Sequence, residues 1–309
     1  MDEPSPYTID DISSEAVEFF VKKGTHVNRI PGNVDPSDVK WVLDHYNFLS
    51  DGKVTFTAMI LFSERPRRVN DGAFLKIGQF DSSGLILREE IIDKPMIMIP
   101  DAALDILYDK YIPSRFGFTG EASRSIVYDY PRDSVRELIV NAIVHMNYRD
   151  EEPVTVSVYP DHIEIFSRGG LQEGMTVDML KIKHDSVRRN KKLADVFHDA
   201  GFVENWAQGI QKVLKECRMN GNPEPLFVDD VFGLRVSMYP RSELILTHRQ
   251  TTILNIIASN PNSTASSLAE SVGVTSRTIY TELKELSKMG LIEREGSNKN
   301  GSWKLSDSH

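Results

Sequence analysis

The sequence predicts a multidomain α+β protein, and three observations carry that expectation. First, 309 residues suggest two or three domains at roughly 100–200 residues each. Second, short runs of β-branched and aromatic residues alternate with stretches of helical periodicity as far as Tyr239. Third, the segment from Arg241 to His309 reads as a self-contained module of three short helices and a hairpin. The expected domains are 1–125, 126–240 and 241–309, with Pro240-Arg241-Ser242 as the last junction.

In the first block, Asp35 to Leu49 has helical spacing through Val39, Val42, Leu43, Tyr46 and Leu49. Ser50-Asp51-Gly52-Lys53 is a turn signal. Val54 to Phe62 is rich in β-branched and aromatic residues and finishes in the apolar run Ala58 to Phe62. Ala73 to Phe80 and Leu85 to Ile92 read as strands joined by Asp81-Ser82-Ser83-Gly84. Pro100 to Tyr111 returns to helical spacing. In the second block, Asp133 to Tyr148 predicts a strong helix. Val154 to Tyr159 and His162 to Phe166 are short strands across Pro160-Asp161, and Gly169-Gly170 then breaks the pattern. Lys191 to Ala200 and Trp206 to Met219 predict further helices, and Leu234 to Tyr239 a closing strand.

Composition narrows the function classes. Hydrophobic residues make up 40% and charged residues 26%, ordinary values for a globular chain rather than a disordered one. The single cysteine, Cys217, excludes an internal disulfide and a multi-cysteine zinc site. It reads as a helix-face residue near Asn220-Gly221, with no partner histidine for a catalytic thiol. Met1 to Asp11 is acidic with two prolines, unlike a signal peptide. No apolar run approaches the ~18 residues of a membrane span. A cytoplasmic protein in a reducing compartment is expected. The net charge of -9 argues against indiscriminate nucleic-acid binding. From Arg241 onward, however, eight Lys/Arg stand against seven Asp/Glu, and a near-neutral module on an acidic body can still bind DNA through local charge geometry.

The C-terminal module has four pieces. Thr247 to Ser259 is a helix with Ile253, Leu254, Ile256 and Ile257 inward, stopped by Asn260-Pro261-Asn262. Ser266 to Val272 is a short helix, and Gly273-Val274 a tight turn. Thr275 then caps Ser276 to Met289, which stops at Gly290. In that last helix Ile279, Leu283, Leu286 and Met289 mark the buried face, leaving Arg277, Thr278, Thr281, Glu282 and Lys284 on the others. A helix–turn–helix of this kind lays its second helix in the major groove of double-stranded DNA. Arg277 can donate two bonds to guanine, while Ser276, Thr278 and Thr281 suit phosphates or base edges. Lys284 joins this DNA-facing set. Leu291 to Arg294 and Trp303 to Leu305 flank a polar tip, Glu295 to Ser302, making a wing whose Lys299 could reach a phosphate. The alternative is a winged helix for protein contacts, since Glu282, Glu285 and Glu293 are unhelpful near phosphates.

The helix from Asp133 carries Glu137, Asn141 and His145 four residues apart, hence on one face, with Leu138, Ile139, Ala142 and Ile143 as flanking core. A polar stripe on an apolar helix needs partners or a function. Taken with TAMILFSERP at Thr57 to Pro66, IEIFSRGGLQEG at Ile163 to Gly174, Arg189-Asn190, VENWAQGI at Val203 to Ile210, Cys217 to Phe227, and GSNKNGSW at Gly296 to Trp303, this segment gives the chain a resemblance over nearly its whole length. It resembles bacterial and archaeal regulators that join a Schlafen AlbA-like domain, a divergent GHKL-type ATPase domain of α/β sandwich form (often labelled the C-terminal part of a RecG-like helicase), and a winged helix. The resemblance implies ATP and magnesium as candidate ligands. Glu137 would activate water, and Asn141 would hold magnesium. His145, Gly169, Gly170, Asn190 and Gly209 would complete the nucleotide site. Ser167 stands where the family has an adenine-reading aspartate, Ala207 where it usually has glycine, and Lys191 where proline is usual. Neither the LEFK-type nor the AFANT–GG-type motif of the AlbA-like domain precedes Thr57. The chain is therefore expected to begin partway through that domain.

Two functional readings remain open. One is a DNA-binding transcriptional regulator, expected to be a homodimer, with a GHKL-like domain that senses or binds nucleotide. The alternative is an ATP-dependent nucleic-acid-acting enzyme of GHKL type. No G-x-x-x-x-G-K-[ST] loop is present, so an ordinary helicase motor is excluded.

Overall fold

The computed structural model describes residues 3–118, 124–182, 188–203, 208–241, 248–288, 291–295 and 301–305. The chain is mixed α+β and sorts into two compact units. The larger comprises Met1–Ser114, Tyr128–Arg218 and Asn222–Pro240; the smaller comprises Arg115–Val127, Met219–Gly221 and Arg241–His309.

The helices of the larger unit begin with α1 (Ser14–His26), whose Ser13 hydroxyl accepts from the Ala16 amide. An N-cap of this kind stabilises a helix by about 1 kcal/mol. Ala16, Val17, Phe20 and Val21 recur at helical spacing and are buried. No element was expected here, although the periodicity is plain. Next come α2 (Val39–His45) and α3 (Phe56–Phe62). Between them, β1 (Leu49–Ser50) and β2 (Lys53–Val54) form a minimal hairpin around the expected turn. The β-leaning composition of the α3 segment is overridden. Thr57 to Phe62 are all buried, and a short helix surrounded by core needs no amphipathic pattern. The strands β3 (Leu75–Phe80) and β4 (Ile86–Ile92) follow as expected, then α4 (Ile99–Ile106), which runs on through a π-helical turn to Tyr111. After the two-stranded β5 (Ser114–Phe118) and β6 (Arg124–Tyr128) come α5 (Arg132–His145), β7 (Val154–Val158), β8 (Ile163–Arg168), α6 (Val177–Leu180), α7 (Lys191–Asp199) and α8 (Gly209–Asn220). The pair β9 (Leu226–Asp230) and β10 (Gly233–Met238) closes the unit. Of these last two, β10 was expected and β9 was not.

One six-stranded sheet, in the order β4-β3-β7-β8-β10-β9, organises this unit. All pairings are antiparallel except β3 with β7, which runs parallel through Leu75↔Val154, Ile77↔Val156 and Gln79↔Val158. The division expected near residue 125 therefore falls inside one sheet and one continuous core. Further ties cross it. Asn70 Nδ2 donates to the Tyr148 carbonyl at 2.5 Å, Tyr46 Oη to Asp199 at 2.6 Å, and Arg29 to the carbonyls of His198 and Val203. The helix α5 packs on β7, β8, α4 and α7, which sets its polar stripe beside the turn that follows β8.

The smaller unit contains α9 (His248–Ser259), α10 (Ala265–Val272), α11 (Ser276–Lys288) and the hairpin β11 (Ile292–Glu295) with β12 (Ser302–Leu305). Its own core gathers Ile253, Ile257, Leu268, Ile279, Leu283, Leu286, Leu291 and Ile292. Thr264 and Ser267 cap the start of α10 reciprocally, and Gly273 ends it in the left-handed conformation. The Thr275 hydroxyl accepts from the Thr278 amide at 3.3 Å, opening α11 as expected. This is a winged helix–turn–helix. No helix among the described residues is long and apolar enough to cross a membrane.

The shared sheet has a measurable consequence. Ile77→Ala, at a fully buried position on β3, should lower the unfolding free energy by about 2–5 kcal/mol. Hydrogen exchange should speed up at Val156 and Ile165 as well. Unchanged protection of β7 and β8 would mean that the two sequence blocks unfold independently.

Candidate ligand cavity and nucleic-acid interface

In the larger unit, Glu137, Asn141 and His145 share one face of α5, as their spacing requires. The Asn141 amide nitrogen donates to Glu137 Oε1 at 3.1 Å. Glu137 is buried and lies against the first residue of α8, so that a Cβ on Gly209 would overlap its Oε1. A side chain at this position would have to displace the Glu137 carboxylate. Beyond β8 the chain turns at Gly169, with φ +81°, in a left-handed conformation that a side chain would strain. The amide of Leu171 in this turn donates to Asp229 Oδ1 at 2.9 Å. The Arg189 guanidinium bridges the His145 and Gly170 carbonyls, each at 2.8 Å. Asn190 donates to the Val144 and Met146 carbonyls, each at 2.9 Å, satisfying the C-terminal end of α5.

These elements enclose a cavity of about 150 Å³. Leu138, Ala142, Ile165, Phe227, Leu234 and Val236 supply its apolar walls; Glu137, Asn141, His145, Ser167, Arg188 and His198 bring polar groups. Of the residues singled out in the sequence, Glu137, Asn141, His145, Gly169, Gly170 and Gly209 line it. Asn190 does not, because its amide is spent on the end of α5. Sequence reading missed His198, on the expected helix α7, which lines the cavity, and Asp229, on the unexpected strand β9, which lies outside the lining and holds the turn amide. Burial first, then the charges of Arg189 and Arg188, push the His145 imidazole down to about 4 from an ordinary 6.5.

Among the described residues, this arrangement leaves few free donors for a triphosphate. A phosphate chain needs free backbone amides and a helix start. Here the start of α8 already faces the Glu137 carboxylate, and the turn amide of Leu171 is taken by Asp229. The Leu171 amide is thus taken by a carboxylate and the Glu137 carboxylate lines the cavity, and like charges repel. The volume is also below the ~300–1,000 Å³ usual for drug-sized ligands. Among the described residues, no group of three or more His, Cys, Asp or Glu side chains could hold a metal ion.

In the smaller unit, α11 presents Arg277, Tyr280, Thr281 and Lys284 to solvent, on one face at i, i+3, i+4 and i+7. Tyr280, 65% exposed, belongs to this stripe and was not singled out in the sequence, although its spacing from Arg277 and Lys284 places it there. The hydroxyls of Thr278 and Thr281 are partly engaged within the helix, with Thr275 Oγ1 and the Arg277 carbonyl respectively. Ser276 is half-buried at the first turn, and Lys299 lies outside the described residues. Glu282 does not share the exposed face. It is buried and meets Arg249 of α9 at 3.0 Å, so its charge is turned inward rather than toward a phosphate. A groove of about 690 Å³ runs beside the stripe, lined by Asn262, Thr264, Tyr280, Lys284, Arg294 and Trp303.

Comparison with known proteins follows the same division. Residues 151–238 match the family described as putative ATP-dependent DNA helicase recG C-terminal. Residues 246–293 match winged helix-turn-helix DNA-binding. The chain thus carries a RecG C-terminal-like, ATPase-like domain followed by a winged helix-turn-helix domain, in the order the resemblance implied. The crystal structure of the DIP2311 protein from Corynebacterium diphtheriae superposes with a TM-score of 0.61 at 16% identity, covering 99% of this chain and 64% of that one. At that identity the likeness is one of fold, and this chain spans about two thirds of that protein's length. No curated protein matches the chain.

Two outcomes test the geometry. A histidine held at about 4 disfavours its own protonation in the folded state. Its contribution to stability is therefore complete above pH 6.5 and is lost as pH falls toward 4. The fall in unfolding free energy over that window should be shallower in His145→Gln than in the native protein; parallel curves would show that His145 is not so held. Cys217 is fully buried, and burial pushes its thiol up to about 11. It should react with a disulfide reagent only in denaturant, and rapid labelling of the folded protein would contradict its placement.

Proposed function

We propose that the protein is a DNA-binding transcriptional regulator that reads double-stranded DNA with α11 and contacts the backbone with the adjoining groove and wing. The observation that carries this reading is the solvent-facing stripe Arg277, Tyr280, Thr281 and Lys284, on the second helix of a capped helix–turn–helix that matches DNA-binding winged helices. Arg277 has the planar fork that pairs with guanine. Lys284 and Arg294 line the groove beside the stripe, where basic groups can meet phosphates. Tyr280 offers a ring to a thymine methyl or a sugar. The inward turn of Glu282 removes one of the acidic groups that spoke for a protein-binding winged helix.

In this reading the protein acts as a homodimer in the cytoplasm, its two winged helices addressing paired half-sites about one DNA turn apart. The ATPase-like domain serves as a sensing or assembly body. Hydrolysis by Glu137 with magnesium on Asn141 is the alternative, and it is less favoured because Asn141 is bonded to Glu137 and the Leu171 amide to Asp229.

Fluorescence anisotropy with duplex DNA tests this reading. Arg277→Ala should weaken specific binding by about 1–3 kcal/mol and relax base preference at one position. Lys284→Ala should weaken all duplexes alike and lower the salt slope by ~1. Wild-type affinity in both variants would move the DNA-binding face elsewhere.

A further inference from the structure

We propose that the cavity beneath α5 is a binding site for a small, uncharged, planar compound carrying an N–H or O–H donor, and not for a nucleotide. This goes beyond the DNA-binding reading and does not depend on it.

Charge disfavours an anion. The Glu137 carboxylate lines the cavity. Arg188, the guanidinium in the lining, pairs with Asp195 at 2.5 Å, and its neighbour Arg189 is committed to two carbonyls of the protein itself. An anionic ligand would have to break one of these pairings and then sit beside a carboxylate.

The walls favour an apolar body. Leu138 and Ala142 of α5 face Ile165, Leu234 and Val236 of the sheet, with Phe227 of β9 beside them. The cavity lies between a helix face and a sheet face, and a slot of that kind suits a flat guest. At about 150 Å³, the slot takes one ring or a small fused pair, since apolar cavities of that size accept a benzene-sized guest.

One polar group in the wall lacks a partner. His198 lines the cavity. Its Nδ1 lies 2.8 Å from Asp199 Oδ1, and its Nε2 is buried without a hydrogen bond. With the proton on Nδ1 toward the carboxylate, Nε2 is an acceptor. A buried acceptor without a hydrogen bond is destabilising, and a donor on the ligand would relieve it. Asp199 is fixed in turn by the Tyr46 hydroxyl at 2.6 Å, so the imidazole is held in one orientation. His145, neutral above pH 4 or so, adds a second polar group without adding charge.

The experiment uses the full chain, with isothermal titration and thermal shift against phenol and indole as neutral donor probes. Benzoate and magnesium-ATP serve as anionic ones, and duplex DNA binding is followed in parallel. Expected are saturable binding and a raised Tm with phenol or indole, and none with benzoate or magnesium-ATP. Ala142→Phe, which fills the slot, should weaken the neutral probe at least tenfold. Should that variant fail to fold, His198→Leu, which removes the acceptor, should do the same. Magnesium-ATP binding as tightly as the neutral probes would overturn the proposal. So would the absence of neutral-probe binding to the folded protein, or full affinity in the folded variants. DNA binding retained in any of these cases leaves the regulator reading standing, so the two claims fail separately.

Discussion

The larger unit depends on the parallel pairing of β3 with β7. These strands come from opposite sides of a long excursion through β4, α4 and α5, and their five-residue register joins the amino-terminal block to the ATPase-like domain. Parallel pairing demands a crossover that covers the sheet, and α5 lies on β7 and β8 within that crossover. With α5 there, the turn after β8 and the first residues of α8 line one cavity with its polar stripe.

The scaffold of an ATPase-like domain is kept here, and several of its donors are met by the protein itself. A polar stripe on α5 survives, and so do glycines that allow backbone and side chain to approach. The protein satisfies its own donors there, Asp229 capping the turn amide, Arg189 and Asn190 capping the end of α5, and Glu137 and Asn141 bonding to each other. A phosphate-binding cradle must leave such donors unsatisfied until its ligand arrives. Here the turn amide already has a carboxylate partner, and the His198 Nε2 in the cavity wall has none among the described residues.

How much of this was legible in the sequence depended on whether the signal was local. The winged helix was read almost residue for residue, because its caps, its turn glycine and the periodicity of Ile279, Leu283 and Leu286 are all short-range features. The stripe on α5 was read for the same reason. The strand β9 was not, since Leu226–Asp230 alternates weakly and leaves four of its five residues exposed at the sheet edge; with it went Asp229. The helix α3 hid behind β-branched and aromatic composition, because its environment rather than its propensity decides. Glu282 looked like a surface charge until Arg249, thirty-three residues away, turned it inward. Asn190 looked like a ligand-facing amide, and only the path of α5 shows that it serves the backbone. The helix α1 is the opposite case, where the periodicity was there to be read.

The central claim is that the C-terminal unit gives the protein its hold on DNA, and the most direct measurement is anisotropy of labelled duplex DNA with the full chain and with a chain ending at Pro240, across a salt series. The account predicts that the full chain binds, weakens with rising salt as phosphate contacts release counterions, and loses binding when truncated. Equal binding by the truncated chain, or no binding by the full chain at low salt on any of several duplexes, would contradict it.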